Sequence, residues 1–121
     1  MALFDEKVQQ QLGDILGQMT DKVTLSFFTA DNGCEACHET HEFLNEVSGL
    51  SPKLEVEVHD FDKEKDLAGK FGIDKIPAIL LLDKDGNDTG MKFYGLPGGY
   101  EINSFISSTL EASGKIGRAH V

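Results

Sequence analysis

The chain has 121 residues, enough for one domain with a real core, and its 40% hydrophobic and 26% charged content is that of an ordinary globular protein. A formal net charge of −10 excludes bare nucleic acid and anionic membrane as natural partners, because both would be repelled. No apolar run reaches the roughly 20 residues of a membrane helix. Charge at Asp5, Glu6 and Lys7 interrupts the N-terminus before it could read as a signal peptide, so the expected location is cytoplasmic.

Val8, Leu12, Ile15, Leu16 and Met19 recur at helical spacing, with Gln9, Gln10 and Asp14 on the reverse face. The stretch KVTLSFFTA, Lys22 to Ala30, is β-branched and aromatic and reads as a strand covered on both faces. A loop at Asp31–Gly33 follows, and the cysteine pair then opens a second helix with Phe43, Leu44 and Val47 inward, stopping near Gly49 and Pro52. KLEVEVHDF alternates Leu54, Val56 and Val58 against Glu55, Glu57 and His59, which predicts a strand with its valines facing in. DKEKDLAGKFG reads as a short helix ended by Gly72, PAILLLD as a buried strand, KDGN as a tight hairpin turn and GMKFYG as the returning strand. A last helix turns Ile102, Phe105, Ile106 and Leu110 to one side, and residues 113–121 have little to bury and read as a frayed tail.

The order is therefore α-β-α-β-α-β-β-α. A β-α-β unit requires a parallel, right-handed crossover, whereas the final hairpin is antiparallel. The fold class that satisfies both is α/β, with one mixed four-stranded sheet flanked by helices in a single domain over residues 1–112.

The chemistry concentrates in NGCEACHETH, Asn32 to His41, which holds the only two cysteines. In a cytoplasmic chain a C-x-x-C is a catalytic pair or a pair of metal ligands before it is a structural staple. The pattern C-E-A-C-H also matches the attachment signature of a c-type haem, but haem attachment takes place outside the cytosol. Cys34, Cys37, His38 and His41 fall at i, i+3, i+4 and i+7 on one helical face, as zinc ligands could. At 1.5 Å rise, however, the ends lie roughly 10 Å apart along the axis, too far for one tetrahedral ion. A non-enzymatic metal-binding or adaptor module thus stands as the alternative to redox chemistry. His41 and His59 read as residues without a special role, and Tyr94 and Tyr100 as packing residues.

A second signature follows about forty residues downstream. KFGIDKIPAILLL, Lys70 to Leu82, resembles the segment in which thioredoxin-fold proteins place a cis-proline facing the two sulfurs. The N-terminal helix and the closing MKFYGLPGGYEINSFISSTL resemble the glutaredoxin-like protein disulfide oxidoreductases and the N-terminal thioredoxin-fold region of the flavoprotein subunit of alkyl hydroperoxide reductase. Those relatives fuse two such units, and this chain has length for one; the resemblance runs from about Phe4 to Leu110. It implies a thiol–disulfide oxidoreductase with catalytic Cys34 and Cys37, a substrate-binding segment at Ile76 and Pro77, and no cofactor or metal of its own. It also implies electron exchange with protein disulfide substrates, an NAD(P)H-dependent flavoprotein of the thioredoxin-reductase type and a peroxiredoxin.

At the start of a helix, Cys34 would face unpaired N–H groups and the positive end of the macrodipole, both favouring the attacking thiolate. Glu35 opposes that ionisation and His38 assists it when protonated, so both are candidates for tuning. With no proline between the cysteines and no strong cation beside them, a reducing couple of roughly −200 to −270 mV is expected. The chain also departs from thioredoxin. Gly33 stands where a tryptophan usually precedes the first cysteine, the family's buried acid aligns with Phe28, and its lysine aligns with Val58. The usual proton relay is therefore missing, and Asp31, His38 or water are the candidates to replace it.

Overall fold

A computed structural model describes residues 4–30, 33–96 and 101–114. Helix α1 (Glu6–Leu16) starts at Asp5, whose carboxylate accepts the Val8 N–H at 2.8 Å, and it buries Leu12 and Leu16. Met19 continues that buried line just beyond the helix, at 4% exposure. Ile15 does not share it: one position before Leu16 it lies on the flank of the stripe and is 37% exposed. Strand β1 (Val23–Thr29) is covered on both faces, as its unbroken apolar run requires. Helix α2 (Glu35–Ser48) turns Phe43, Leu44 and Val47 into the core. After it come β2 (Leu54–Asp60), α3 (Lys65–Lys70), β3 (Ala78–Leu82), β4 (Asp88–Tyr94) and α4 (Glu101–Ala112).

The four strands form one sheet in the order β2-β1-β3-β4. β1 runs parallel to β2 and antiparallel to β3, and β3 runs antiparallel to β4. Alternation then sorts the side chains. Val23, Leu25 and Phe27 of β1, with Ile79 and Leu81 of β3, meet α1, α2 and α4 in the larger core. Phe28, Ala78, Leu80 and Leu82 face the other way and pack with Ala68 of α3 and Ile73. Phe105 sits at the centre of the larger core, edge-to-face against both Phe43 and Phe93 with ring centroids 5.4 Å apart in each pair. This ring cluster locks α4 to α2 and β4.

In the β3–β4 hairpin the Asp83 carboxylate accepts the N–H groups of Asp85 and Asn87, both at 2.9 Å. The bond from the Asn87 N–H, foremost, holds the Asp83 carboxyl below the ordinary carboxylate value. Ser113, placed by the sequence in the tail, is buried: its carbonyl accepts the Asp21 N–H at 2.8 Å and its hydroxyl accepts the Thr20 N–H at 3.3 Å. The rest of the expected tail, residues 115–121, lies outside the described residues.

β2 is an edge strand, and its face is covered only in part. Leu54 is 6% exposed, but Val58, expected to face in with it, is 49% exposed. Val58 pairs with Phe27 near the end of the sheet where β1 leads toward Cys34. The same end carries Pro77, one residue before Ala78, which pairs with Phe28.

Candidate functional site

Two elements position the cysteines. Cys34 is the N-cap of α2, in extended conformation (φ −137°, ψ 92°), and no side chain caps the first turn. The free N–H groups of that turn therefore stand near its sulfur. Cys37 lies one turn in and is bonded to Cys34 as a disulfide, the two Cα atoms 5.4 Å apart. Cys34 is half-buried and Cys37 only 3% exposed, so a partner arriving from solvent meets Cys34 first. Gly33 has φ +75°, a region that costs an L side chain roughly 1–2 kcal/mol, although space around it is open. Backbone conformation, not crowding, accounts for glycine at this position.

The disulfide borders a cleft of about 260 Å³ lined by Thr29, Ala30, Cys34, Cys37, His38, His41 and Val58. All four members of the Cys/His stripe meet there, yet among the described residues no group of three His, Cys, Asp or Glu side chains is arranged to hold a metal ion. The two histidines differ. The His38 side chain is 82% exposed and its Nε2 lies 3.6 Å from the Glu42 carboxylate one turn on. His41 is half-buried and packs on Phe27, ring centroids 5.4 Å apart, so it is not the featureless exposed residue expected from the sequence. Glu35 is exposed beside Cys34.

Parity along β1 matters for the missing acid. Phe27 is the side chain directed to the α2 side, where it meets His41, whereas Phe28 faces the opposite core and stacks on His59 at 5.0 Å. Neither position carries a charge. His59 is held by Glu64 at 3.1 Å and Glu57 at 3.2 Å, away from the cleft. Asp31 lies outside the described residues. Sequence reasoning missed Val58 and His41 as cleft walls and Phe27 as the ring on which His41 rests; the available signal for His41 was its i+4 spacing from Cys37.

The Ile76–Pro77 bond is cis. The Pro77 carbonyl accepts the Gly95 N–H at 2.9 Å, and Gly95 has φ +83°, which only glycine adopts freely. On either side of Gly95, Tyr94 and Leu96 are 40% and 37% exposed, so Tyr94 is not the packing residue expected; the Lys75 ammonium lies 5.1 Å from its ring centroid. Tyr100 lies outside the described residues.

No protein-family model matches the chain. Among curated proteins it is similar to the AhpF component of alkyl hydroperoxide reductase in Staphylococcus aureus, 29% identical over 113 residues that make up 93% of this chain and 19% of that protein. Among solved structures it is similar to the AhpF component in Enterococcus faecalis, at 37% identity and a TM-score of 0.87, over 93% of this chain and 53% of that one. A protein disulfide oxidoreductase from Aeropyrum pernix superposes with a TM-score of 0.79 at 21% identity, over 94% of this chain and 50% of that one, and supports the fold alone. The chain thus spans about a fifth of the curated relatives it matches. It has the thioredoxin fold, and its homologues include the N-terminal domain of AhpF. Among the described residues no helix is long and apolar enough to cross a membrane.

Proposed function

We propose that this thioredoxin-fold homologue of the AhpF N-terminal domain, an oxidoreductase by its relatives and its disulfide, cycles Cys34 and Cys37 between dithiol and disulfide in exchange with protein partners. The observation that carries this reading is the asymmetry of the pair: one sulfur accessible at an uncapped helix N-terminus, the other buried one turn behind it. In the reducing direction the Cys34 thiolate attacks a partner disulfide, forming a mixed disulfide and releasing one partner thiolate. Cys37 then attacks Cys34, closing the internal disulfide and releasing the second partner sulfur. Ile76 and Pro77 present backbone to the partner chain at the same sheet end, with Glu35 and His38 as tuning residues beside Cys34.

The likeness to AhpF supports a cytoplasmic relay in which an NAD(P)H-dependent flavoprotein of the thioredoxin-reductase type supplies electrons and a peroxiredoxin receives them. One domain, residues 1–112 with Ser113 docked against Thr20 and Asp21, is the working unit. The test counts free thiols with and without dithiothreitol, beside a metal assay and a reduction potential measured against glutathione. Two thiols that appear only on reduction, no stoichiometric metal and a potential of roughly −200 to −270 mV support the reading. Two permanently free thiols with a bound metal would favour a metal-binding module, and a potential near −120 mV would mark an oxidant.

A further inference from the structure

Each turnover of a dithiol–disulfide couple must move the proton of the second sulfur, because only the thiolate attacks. Cys37 is 3% exposed and lines the cleft, so a group in that cleft is placed to carry its proton. On the α2 side of β1 the strand offers Phe27, a hydrocarbon, and no acid. Among the described residues lining the cleft, the ionisable groups are Cys34, Cys37, His38 and His41.

We propose that His41 is the proton-transfer residue for Cys37; this rests on the redox reading above and deepens it. In the resolving step the neutral imidazole takes the Cys37 proton as that sulfur attacks Cys34. The Cys34–Cys37 bond forms, the bond between Cys34 and the partner sulfur breaks, and its electron pair leaves on that sulfur. The imidazolium then returns the proton to the departing thiolate. The partner disulfide is the oxidant, and the imidazole ends as it began, so electrons and protons balance.

Three observations select His41 over His38. His41 is four residues from Cys37, which on a helix places side chains on the same face with Cβ atoms about 5–6 Å apart, whereas His38 is the next residue along and points elsewhere. The His41 ring is half-buried and set against Phe27, which limits its orientations. The His38 side chain is 82% exposed and engaged with Glu42. Phe27 packs on the His41 ring, and the groups that share the cleft with it are the two cysteines and His38 from α2, Thr29 and Ala30 from β1 and its continuation, and Val58 from β2; none of these carries a carboxylate or ammonium.

The test follows turnover of the whole chain from pH 5.5 to 9.5, with dithiothreitol as reductant and insulin as the disulfide substrate. His41→Gln and His41→Phe, the latter keeping a ring on Phe27, should lose tenfold or more near pH 7. Both should converge on wild type above about pH 9, where the thiol ionises unaided. His59→Gln, at a histidine held by Glu64 and Glu57 away from the cleft, should keep the wild-type profile. Variants that match wild type throughout, or that fall by the same factor at every pH, overturn the inference. A second readout is independent of turnover: NMR titration of the imidazoles should show the His41 midpoint moving between oxidised and reduced protein while that of His59 stays fixed. A wild type that never reduces insulin would sink the redox reading, and a His41 midpoint unchanged on reduction would sink this inference alone.

Discussion

The unequal chemistry of the two sulfurs can be put to a number. Reduced Cys34 lies at an uncapped helix N-terminus and is half-buried, a setting in which the dipole and free N–H groups favour an anion by about 1 kcal/mol, up to ~2. Glu35 is exposed, so its opposition is that of a surface charge pair, about 0.2–0.5 kcal/mol and screened by salt. The net of roughly 0.5–1.8 kcal/mol corresponds to a thiolate population about two to twenty times that of an unperturbed thiol at neutral pH. Cys37 goes the other way, since at 3% exposure its thiolate loses hydration and its sulfur is hard to reach. With Cys37→Ser and Cys34→Ser as single-thiol proteins, iodoacetamide at pH 7 should modify Cys34 at least tenfold faster than Cys37. Adding Glu35→Gln should raise the Cys34 rate up to about twofold at low salt and leave it unchanged at 1 M salt. Equal rates, or a faster Cys37, would refute the assignment of attacking and resolving sulfurs.

Three further outcomes test the scaffold. Phe105→Ala removes a ring with 0% exposure from between Phe43 and Phe93, so it should cost about 3–5 kcal/mol and lower Tm by roughly 10–20 °C, whereas Phe105→Leu should cost under half of that; a loss below ~1 kcal/mol for the alanine would show that the ring cluster does not join α4 to the core. Ser26 is fully buried with a hydroxyl that finds no partner among the described residues, so Ser26→Ala should raise stability by about 1 kcal/mol in a denaturant titration, and a clear loss would mean the hydroxyl is satisfied. Asp83 has its carboxyl held low in the folded chain, so its contribution is fully present above the unfolded carboxylate value near 3.9 and is lost as pH falls from there through the lower folded value. The stability gap between wild type and Asp83→Ala should therefore be widest above about pH 5 and narrow as pH falls below the unfolded value; a gap that is constant with pH would contradict the turn geometry.

The element order was legible because its signals are local. An unbroken apolar run from Val23 to Phe28 can only be a strand covered on both sides, and the turn at Asp83–Gly86 announces its hairpin by composition alone. The cysteine pair was legible for the same reason: its spacing and its place at a strand–helix junction are properties of a short segment. What the sequence could not convey was how far cover extends. Alternation puts Val58 on the same face as Leu54, but whether a side chain on that face is buried depends on whether α2 reaches over it, and near the end of an edge strand it does not.

The same limit bears on the relay position. Counting back from Cys34 puts the family's acid at Phe28, but a strand has period two, and here it is Phe27 that lies on the α2 side while Phe28 packs in the opposite core. The pairing of β1 with β2 and β3 decides the matter for Phe27, and Phe27 in turn decides which histidine is covered. Both His38 and His41 share the helical stripe of the cysteines, so spacing alone ranks the nearer one first. Packing reverses that order, because the side chain that can hold a fixed proton path is the one resting on a neighbour, and the one that can only tune a field is the one left in water. A site whose strand has no acid to offer must take its proton chemistry from the helix, and on α2 the position that shares the cleft with the buried sulfur and packs on the strand is residue 41.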